Sequence, residues 1–333
     1  MNKTIKLNNI KNIKKVKKKN NLTPILIVIS LIIIVVFFVN EYSKKEEYKK
    51  TYEFKLTQIG YDLKTANKLE EDLTKEQLDI LLSKDVIVGI TKLIESKYFI
   101  FNNLDRYVQN YDYSNIDFDI DYLIRKVNVN RDKSNYVEPK KANINLINDI
   151  LVNQYYFLGE DYVPDNLVKI LGIHTFTEEY IQEEVYESYK LMYKEALNEG
   201  IRFLVTSGYR SYNNQEAVYD DYVKRYGQDY AKNYVAVPGY SEHQTGLALD
   251  IFTYGSTMKT FDTTEGFKWL SNNAYKYGFI LRYPKDKINL TGATYESWHY
   301  RYVGKNIAKQ IYEENISFEE YYAFYVENID KDK

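Results

Sequence analysis

The chain of 333 residues contains no cysteine. That excludes disulfides, thiolate metal sites and cysteine nucleophiles. Histidine is nearly as scarce, with only His174, His243 and His299. Five prolines and 14 glycines form no Pro-rich or Gly-rich linker, and no internal repeat is visible. Acidic residues are missing from the first 40 positions, which carry eight lysines (Lys3, Lys6, Lys11, Lys14, Lys15, Lys17, Lys18 and Lys19). The whole chain has 45 basic and 47 acidic side chains, so the remainder holds 37 against 47, a formal charge of −10. A polybasic head on an acidic body argues against a nucleic-acid partner and for a membrane anchor. Tyrosine, by contrast, occurs 36 times, and apolar residues make up 44% of the chain, enough for a sizeable core. The tyrosines are read as core and strand-face residues rather than as a carbohydrate-binding surface.

Leu22 to Val39 reads LTPILIVISLIIIVVFFV, eighteen residues without a charge. As a helix it spans about 27 Å, close to the ~30 Å hydrocarbon core of a bilayer. Lysines precede it, and Glu41, Glu46 and Glu47 follow. The positive-inside rule then puts the N-terminus in the cytoplasm and residues 41–333 outside the cell. The run lacks an A-x-A cleavage site and a lipobox cysteine, so it is read as an uncleaved signal anchor.

The expected organisation is a basic cytoplasmic tail over 1–21, a transmembrane segment over 22–39, a stalk and spacer over 40–144, and a catalytic domain over 145–333. Residues 41–64 read as a charged stalk. Leu69, Leu73, Leu78, Leu81 and Leu82 predict helix over 65–110, with Thr74 and Gln77 as a capping box. Residues 120–130 (IDYLIRKVNVN) read as a strand. Further on, Thr177 is expected to cap a helix to Asn198, with an apolar stripe of Val185, Tyr189, Met192 and Ala196. Strands are expected at 201–206, 247–252, 279–283 and 295–303. Helices are expected at 213–226, from Asp262 and Glu265 to Gly278, and finally over 304–315. Helices and strands mix without βαβ regularity, which predicts an α+β fold with a small antiparallel sheet flanked by helices.

Two of the three histidines fall in chemically suggestive segments, Ser241-Glu242-His243-Gln244-Thr245-Gly246-Leu247-Ala248-Leu249-Asp250 and Glu296-Ser297-Trp298-His299. A catalytic zinc needs three protein ligands and an open position, and imidazole and carboxylate both suit it. Asp250 lies in the apolar run LALDIF, where an unpaired carboxylate is unfavourable and a metal would neutralise it. Glu296, three residues before His299, is placed to act as a general base on water whose pKa zinc lowers to roughly 7. From spacing alone, a structural reading with hydrogen-bonded His and Asp in strands is equally open.

The segments SGYRS, Ser241-x-His243-x-x-Gly246-x-Ala248-x-Asp250 and Glu296-x-Trp298-His299 resemble the D-alanyl-D-alanine carboxypeptidase family. That family takes in vancomycin-resistance D,D-carboxypeptidases and cell-wall L,D-carboxypeptidases, and it shares the fold of lysostaphin, the D-Ala-D-Ala metallopeptidases and hedgehog. The likeness covers about residues 145–312 in matching order, with Trp269-Leu270, Tyr277-Gly278-Phe279, Arg282-Tyr283-Pro284, Thr291-Gly292 and Arg301-Tyr302-Val303-Gly304 as landmarks. The resemblance implies zinc held by His243, Asp250 and His299, with Glu296 as base. It implies Arg210 as oxyanion stabiliser or substrate grip, and Gln215, Ser241 and Ser207 as substrate-side residues. Ser297 stands where the family has Pro, a change expected to loosen the backbone slightly without removing a ligand. His174 matches no ligand motif and is read as structural or exposed, and Trp269 and Trp298 as core.

The implied function is removal of the C-terminal D-Ala from peptidoglycan stem peptides. Alternatives are L,D-carboxypeptidase action on the tetrapeptide, a wall endopeptidase, or a catalytically dead wall-binding or sensor module.

Overall fold

The computed structural model describes residues 22–112, 114, 115 and 118–328. The lysine-rich tail over 1–21 lies outside the described residues. Two compact units divide between Thr91 and Lys92.

The first unit opens with a helix, Leu22–Tyr48. Its stretch from Ile25 to Tyr48 is long and apolar enough to cross a membrane, and the protein buries none of its apolar side chains. Three short helices follow, each with a side-chain cap at its start. Thr51 caps Tyr52–Ile59 and Asp62 caps Leu63–Asp72. Thr74 and Gln77 form the expected capping box on Lys75–Leu82, with bonds of 3.3 and 2.9 Å. Leu56, Ala66, Leu69, Leu78 and Leu81 are the side chains these helices bury. The expected stalk over 41–64 is thus largely helical, because the first helix continues past the apolar run to Tyr48 and a second forms at Tyr52.

Among the described residues the second unit contains eight strands. Two short ribbons come first: β1 (Lys140–Lys141) pairs with β2 (Tyr156–Phe157), and β3 (Leu167–Lys169) with β4 (Tyr180–Gln182). The main sheet comprises β5 (Phe203–Ser207), β6 (Ala248–Thr253), β7 (Phe279–Tyr283) and β8 (Glu296–Tyr302). Its order is β5-β6-β8-β7 and every pairing is antiparallel, as expected from the sequence. The helix Glu183–Asn198 lays Val185, Tyr189, Met192 and Ala196 into one core with Val205, Leu249, Ile251 and Tyr300 of the sheet. A second core joins Ile150, Val152 and Leu158 to Ile280, Ala308, Ile311 and Phe318. The sheet is therefore covered by apolar side chains around its core, and the functional side chains gather at one open cleft.

Several expected elements differ. Residues 120–128 are a helix, not a strand. Asp119 caps it, accepting from the Tyr122 amide at 2.8 Å, and Leu123, Ile124 and Val127 are buried at helical spacing. Thr177 is not a cap: the helix begins at Glu183, because Tyr180–Gln182 is drawn into the ribbon with β3. Thr264, not Asp262, caps Glu265–Asn273, accepting from the Phe267 amide at 3.1 Å. Lys305–Glu314 is followed by a further helix, Phe318–Tyr322, capped by Ser317 and Glu320. The expected boundary at 144/145 also differs from the division at 91/92. Arg125 bonds Glu320, Arg131 bonds the Asn289 carbonyl at 3.3 Å, and Lys140 bonds Glu327 at 2.6 Å. These ties make residues 92–144 part of the second unit.

Candidate active site

Asp250 and His299 are direct cross-strand partners on β6 and β8, so their side chains emerge on the same face of the sheet. Ser207 pairs with Asp250 on the other side, across a register shift between Val205 and Ser207. A second shift, between Leu281 and Tyr283, lies opposite Glu296. Strict alternation would send Glu296 and His299 to opposite faces of β8. At this irregular end of the strand the two side chains meet, with Glu296 Oε2 3.6 Å from His299 Nδ1.

His243 arrives from a 3-10 turn, Glu242–Thr245, that leads into β6. The turn closes at Gly246 with φ +66°, and a Cβ there would press on Leu167 and Gln182 at 3.0 and 3.1 Å. This is the physical content of the glycine in the His243-to-Asp250 motif. Among the described residues, His243, Asp250 and His299 bring three possible metal-ligand atoms within 4.8 Å of one another. His243 Nε2 lies 3.6 Å from Asp250 Oδ1, and His299 Nδ1 lies 3.2 Å from the same oxygen. His243 Nδ1 bonds the Gly208 carbonyl at 2.7 Å, which leaves Nε2 to face inward. Asp250 Oδ1 is buried and makes no hydrogen bond. A buried carboxylate oxygen of that kind, between two imidazoles, is the donor set that suits a divalent zinc.

The electrostatics separate the groups. Burial pushes Glu296 up to about 7, with Asp250 adding to the rise and His299 and Arg210 opposing it. Burial lowers His243. Burial also works against a charged His299, but the surrounding carboxylates of Asp250, Glu242 and Glu296 outweigh it and raise the group to about 9. Burial disfavours the charged Asp250 as well, yet the two histidines hold it well below the usual carboxylate range. One carboxyl therefore stays ionised while its neighbour titrates near neutrality, the pattern of a ligand beside a general base.

These groups share an open cleft of about 290 Å³ with Arg210, Gln215 and Ser241. Arg210 is fixed by two bonds, to Gln215 Oε1 at 3.0 Å and Ser207 Oγ at 2.8 Å. Gln215 is buried, and its Nε2 donates to the Ala236 carbonyl at 2.7 Å. Its amide oxygen is thereby held where it aims Arg210. Gly208, in the same turn, tolerates no side chain, since a Cβ would sit 2.3 Å from the Tyr180 carbonyl oxygen.

His174 lies away from the cleft, buried against Tyr186, Tyr189 and Tyr193, with Nδ1 2.9 Å from the Tyr186 hydroxyl. Trp269 is in the core and donates to Glu199 at 2.7 Å. Trp298 is only half-buried: it packs on the core and also lines the cleft.

Two features escaped the sequence reading. Tyr136 lines the cleft with its backbone in the left-handed region at φ 62°, its ring against Tyr240 at 5.0 Å. Glu242, Arg282, Arg301 and Glu319 form a buried charged cluster behind the histidines. The available signal was an arginine inside each of two apolar strands, FILRY and WHYRYV, because a buried guanidinium demands acidic partners.

Two imidazoles, a carboxylate and a buried glutamate beside an open cleft define the class of mononuclear zinc hydrolases. Residues 178–305 match the family described as VanY: D-alanyl-D-alanine carboxypeptidase. The chain is 44% identical over 179 residues to the putative carboxypeptidase YodJ of Bacillus subtilis, covering 52% of this chain and 66% of that protein, just under two thirds of its length. It is 32% identical over 185 residues to the bifunctional D-Ala-D-Ala dipeptidase and D-Ala-D-Ala carboxypeptidase VanXYC of Enterococcus gallinarum, covering 54% of this chain and 95% of that one. Among solved structures, the LdcB LD-carboxypeptidase is 44% identical with a TM-score of 0.49, over 52% of this chain and 84% of that one. The chain belongs to the VanY D-alanyl-D-alanine carboxypeptidase family.

Proposed function

We propose that this protein is a membrane-anchored, zinc-dependent D,D-carboxypeptidase that removes the terminal D-Ala of peptidoglycan stem peptides outside the cell. The observation that carries the proposal is the convergence of His243, Asp250 and His299 on one point of an open cleft, with Glu296 3.6 Å from His299. The activities named for VanXYC and for the matching family supply the substrate class. The apolar helix behind eight lysines supports an N-terminus in the cytoplasm and a catalytic unit on the outer face.

In this reading His243 Nε2, His299 Nδ1 and an Asp250 oxygen would hold the zinc. Bound there, it would supply Lewis acidity and lower the pKa of water to near 7. Glu296, with its carboxyl near 7, accepts a proton from the attacking water and returns it to the departing D-Ala amine. Arg210, held by Gln215 and Ser207, presents a fixed guanidinium to the carbonyl oxygen or to the terminal carboxylate. Ser241 lines the same wall of the cleft and offers a hydroxyl to the substrate.

The test is mass spectrometry of the full chain in detergent with zinc and synthetic stem peptides. Loss of one D-Ala from the pentapeptide alone is the expected result. Loss from the tetrapeptide would move the protein to the L,D class, and an intact pair of peptides would contradict carboxypeptidase action.

A further inference from the structure

We infer that Glu242 is a positioning residue of the metal centre, a carboxylate gripped by two buried guanidinium groups that orients His299 to coordinate through Nδ1. The inference rests on the assignment of His243, Asp250 and His299 as the metal ligands.

Glu242 is the neighbour of His243 in the 3-10 turn, Arg282 comes from β7, Arg301 from β8 and Glu319 from the helix Phe318–Tyr322. None of the four is more than 2% exposed. Glu242 Oε1 accepts from Arg282 Nε at 2.7 Å and from Arg301 Nη1 at 2.8 Å. Glu319 takes the other fork of Arg282, with bonds of 2.9 and 2.6 Å. Two cations and two anions balance, yet desolvating four charges is a poor way to stabilise a core, and apolar side chains of similar volume often do as well. The cluster therefore calls for a task other than stability.

The second oxygen of Glu242 supplies one. Oε2 is buried without a hydrogen bond, and His299 Nε2 is buried without one too. The two atoms face each other at 3.5 Å, the outer edge of a hydrogen bond. They are complementary: an ionised carboxylate only accepts, and an imidazole Nε2–H donates. The opposite edge of the same ring presents Nδ1 to Asp250 and Glu296, at 3.2 and 3.6 Å. A histidine that ligates through Nδ1 must carry its proton on Nε2, and a carboxylate at that edge fixes both the tautomer and the plane of the ring. The Gly208 carbonyl does the same for His243 at its Nδ1 edge. With Oε1 tied to two guanidinium groups, Glu242 is also kept from swinging into the ligand set itself.

The experiment compares zinc affinity, by competition with a chromogenic chelator, in the full-length protein and in the Glu242→Gln and Glu319→Gln variants. Each variant removes one buried charge from the same cluster, but only Glu242 touches a ligand. The expected result is a 10- to 100-fold weaker zinc affinity for Glu242→Gln and a change below threefold for Glu319→Gln. Equal affinities in the two variants, or an unaltered affinity in Glu242→Gln, would overturn the inference. Failure of the unsubstituted protein to bind zinc would remove the ligand assignment and this inference with it.

If Glu242→Gln does not fold, the unsubstituted protein decides. With only three histidines, ¹⁵N-histidine labelling gives three imidazoles to assign. Zinc on Nδ1 of His299, with a slowly exchanging Nε2–H, supports the inference. Zinc on Nε2, or a freely exchanging Nε2–H, refutes it.

Discussion

Replacing Arg301 by methionine tests the energetics behind the cleft. Arg301 is fully buried, and its guanidinium bonds Glu242 Oε1 at 2.8 Å and the carbonyls of Asn148 and Ile150 at 3.0 and 2.7 Å. Its Nε donates to the Tyr302 carbonyl at 3.0 Å, and its plane lies 4.9 Å over Phe318. Methionine keeps the apolar stem and removes every donor. Breaking a buried ion pair costs about 3–5 kcal/mol, and the lower end applies because Arg282 still holds Glu242. Carbonyls deprived of a donor add about 1–3 kcal/mol each if nothing replaces it, partly offset by the apolar fill. The sum is about 5 kcal/mol. For a unit of this size each kcal/mol moves Tm by about 2–4 °C, so the expected fall is roughly 10–20 °C. Near-UV circular dichroism during a thermal scan of the full chain in detergent measures it. A fall of less than about 3 °C would refute the reasoning, since the cluster would then be exchangeable for apolar packing at no loss.

The same cluster makes stability depend on acid. Burial opposes ionisation of Glu242, but Arg282 and Arg301 outweigh it and hold the group well below the usual carboxylate range. Its contribution is complete above the unfolded-chain value of about 4.3 and is lost as pH falls through the lower folded-state value. The stability gap between the unsubstituted protein and Arg301→Met should therefore narrow between pH 5 and pH 2.5, and a gap independent of pH in chemical denaturation would contradict it. Gly208→Ala, with its Cβ driven against the Tyr180 carbonyl, should cost about 1–3 kcal/mol in stability. It should also weaken zinc binding by displacing the carbonyl that holds His243, and chelator competition checks this.

The grouping of His243, Asp250 and His299 was more legible in the sequence than much of the chain around it. Motifs spanning a few residues survive folding as local geometry. The turn after Ser241 must carry His243 to the start of a strand, and Asp250 must emerge on the face that His299 shares. The errors lie where local pattern competes with tertiary pairing. The end of IDYLIRKVNVN alternates like a strand, yet its Leu123, Ile124 and Val127 sit at helical spacing behind an Asp cap. Thr177 with Glu178 and Glu179 imitates a helix start, but pairing with β3 holds the following residues extended. Glu242 was invisible as a functional residue because its partners lie 40 and 59 positions away on strands whose register no local pattern reveals. The same distance effect hid residues 92–144 from the catalytic unit, since their anchors, Glu320, Asn289 and Glu327, come from the far end of the chain.

The most direct test of the central claim is a paired measurement of zinc content and D-Ala release on the unsubstituted protein and Glu296→Gln. One zinc per chain is expected in both proteins, with release slower by about 10²–10⁴ in the variant, because the ligands remain while the base is gone. A variant that releases D-Ala at the full rate, or an unsubstituted protein that releases it without zinc, would contradict it.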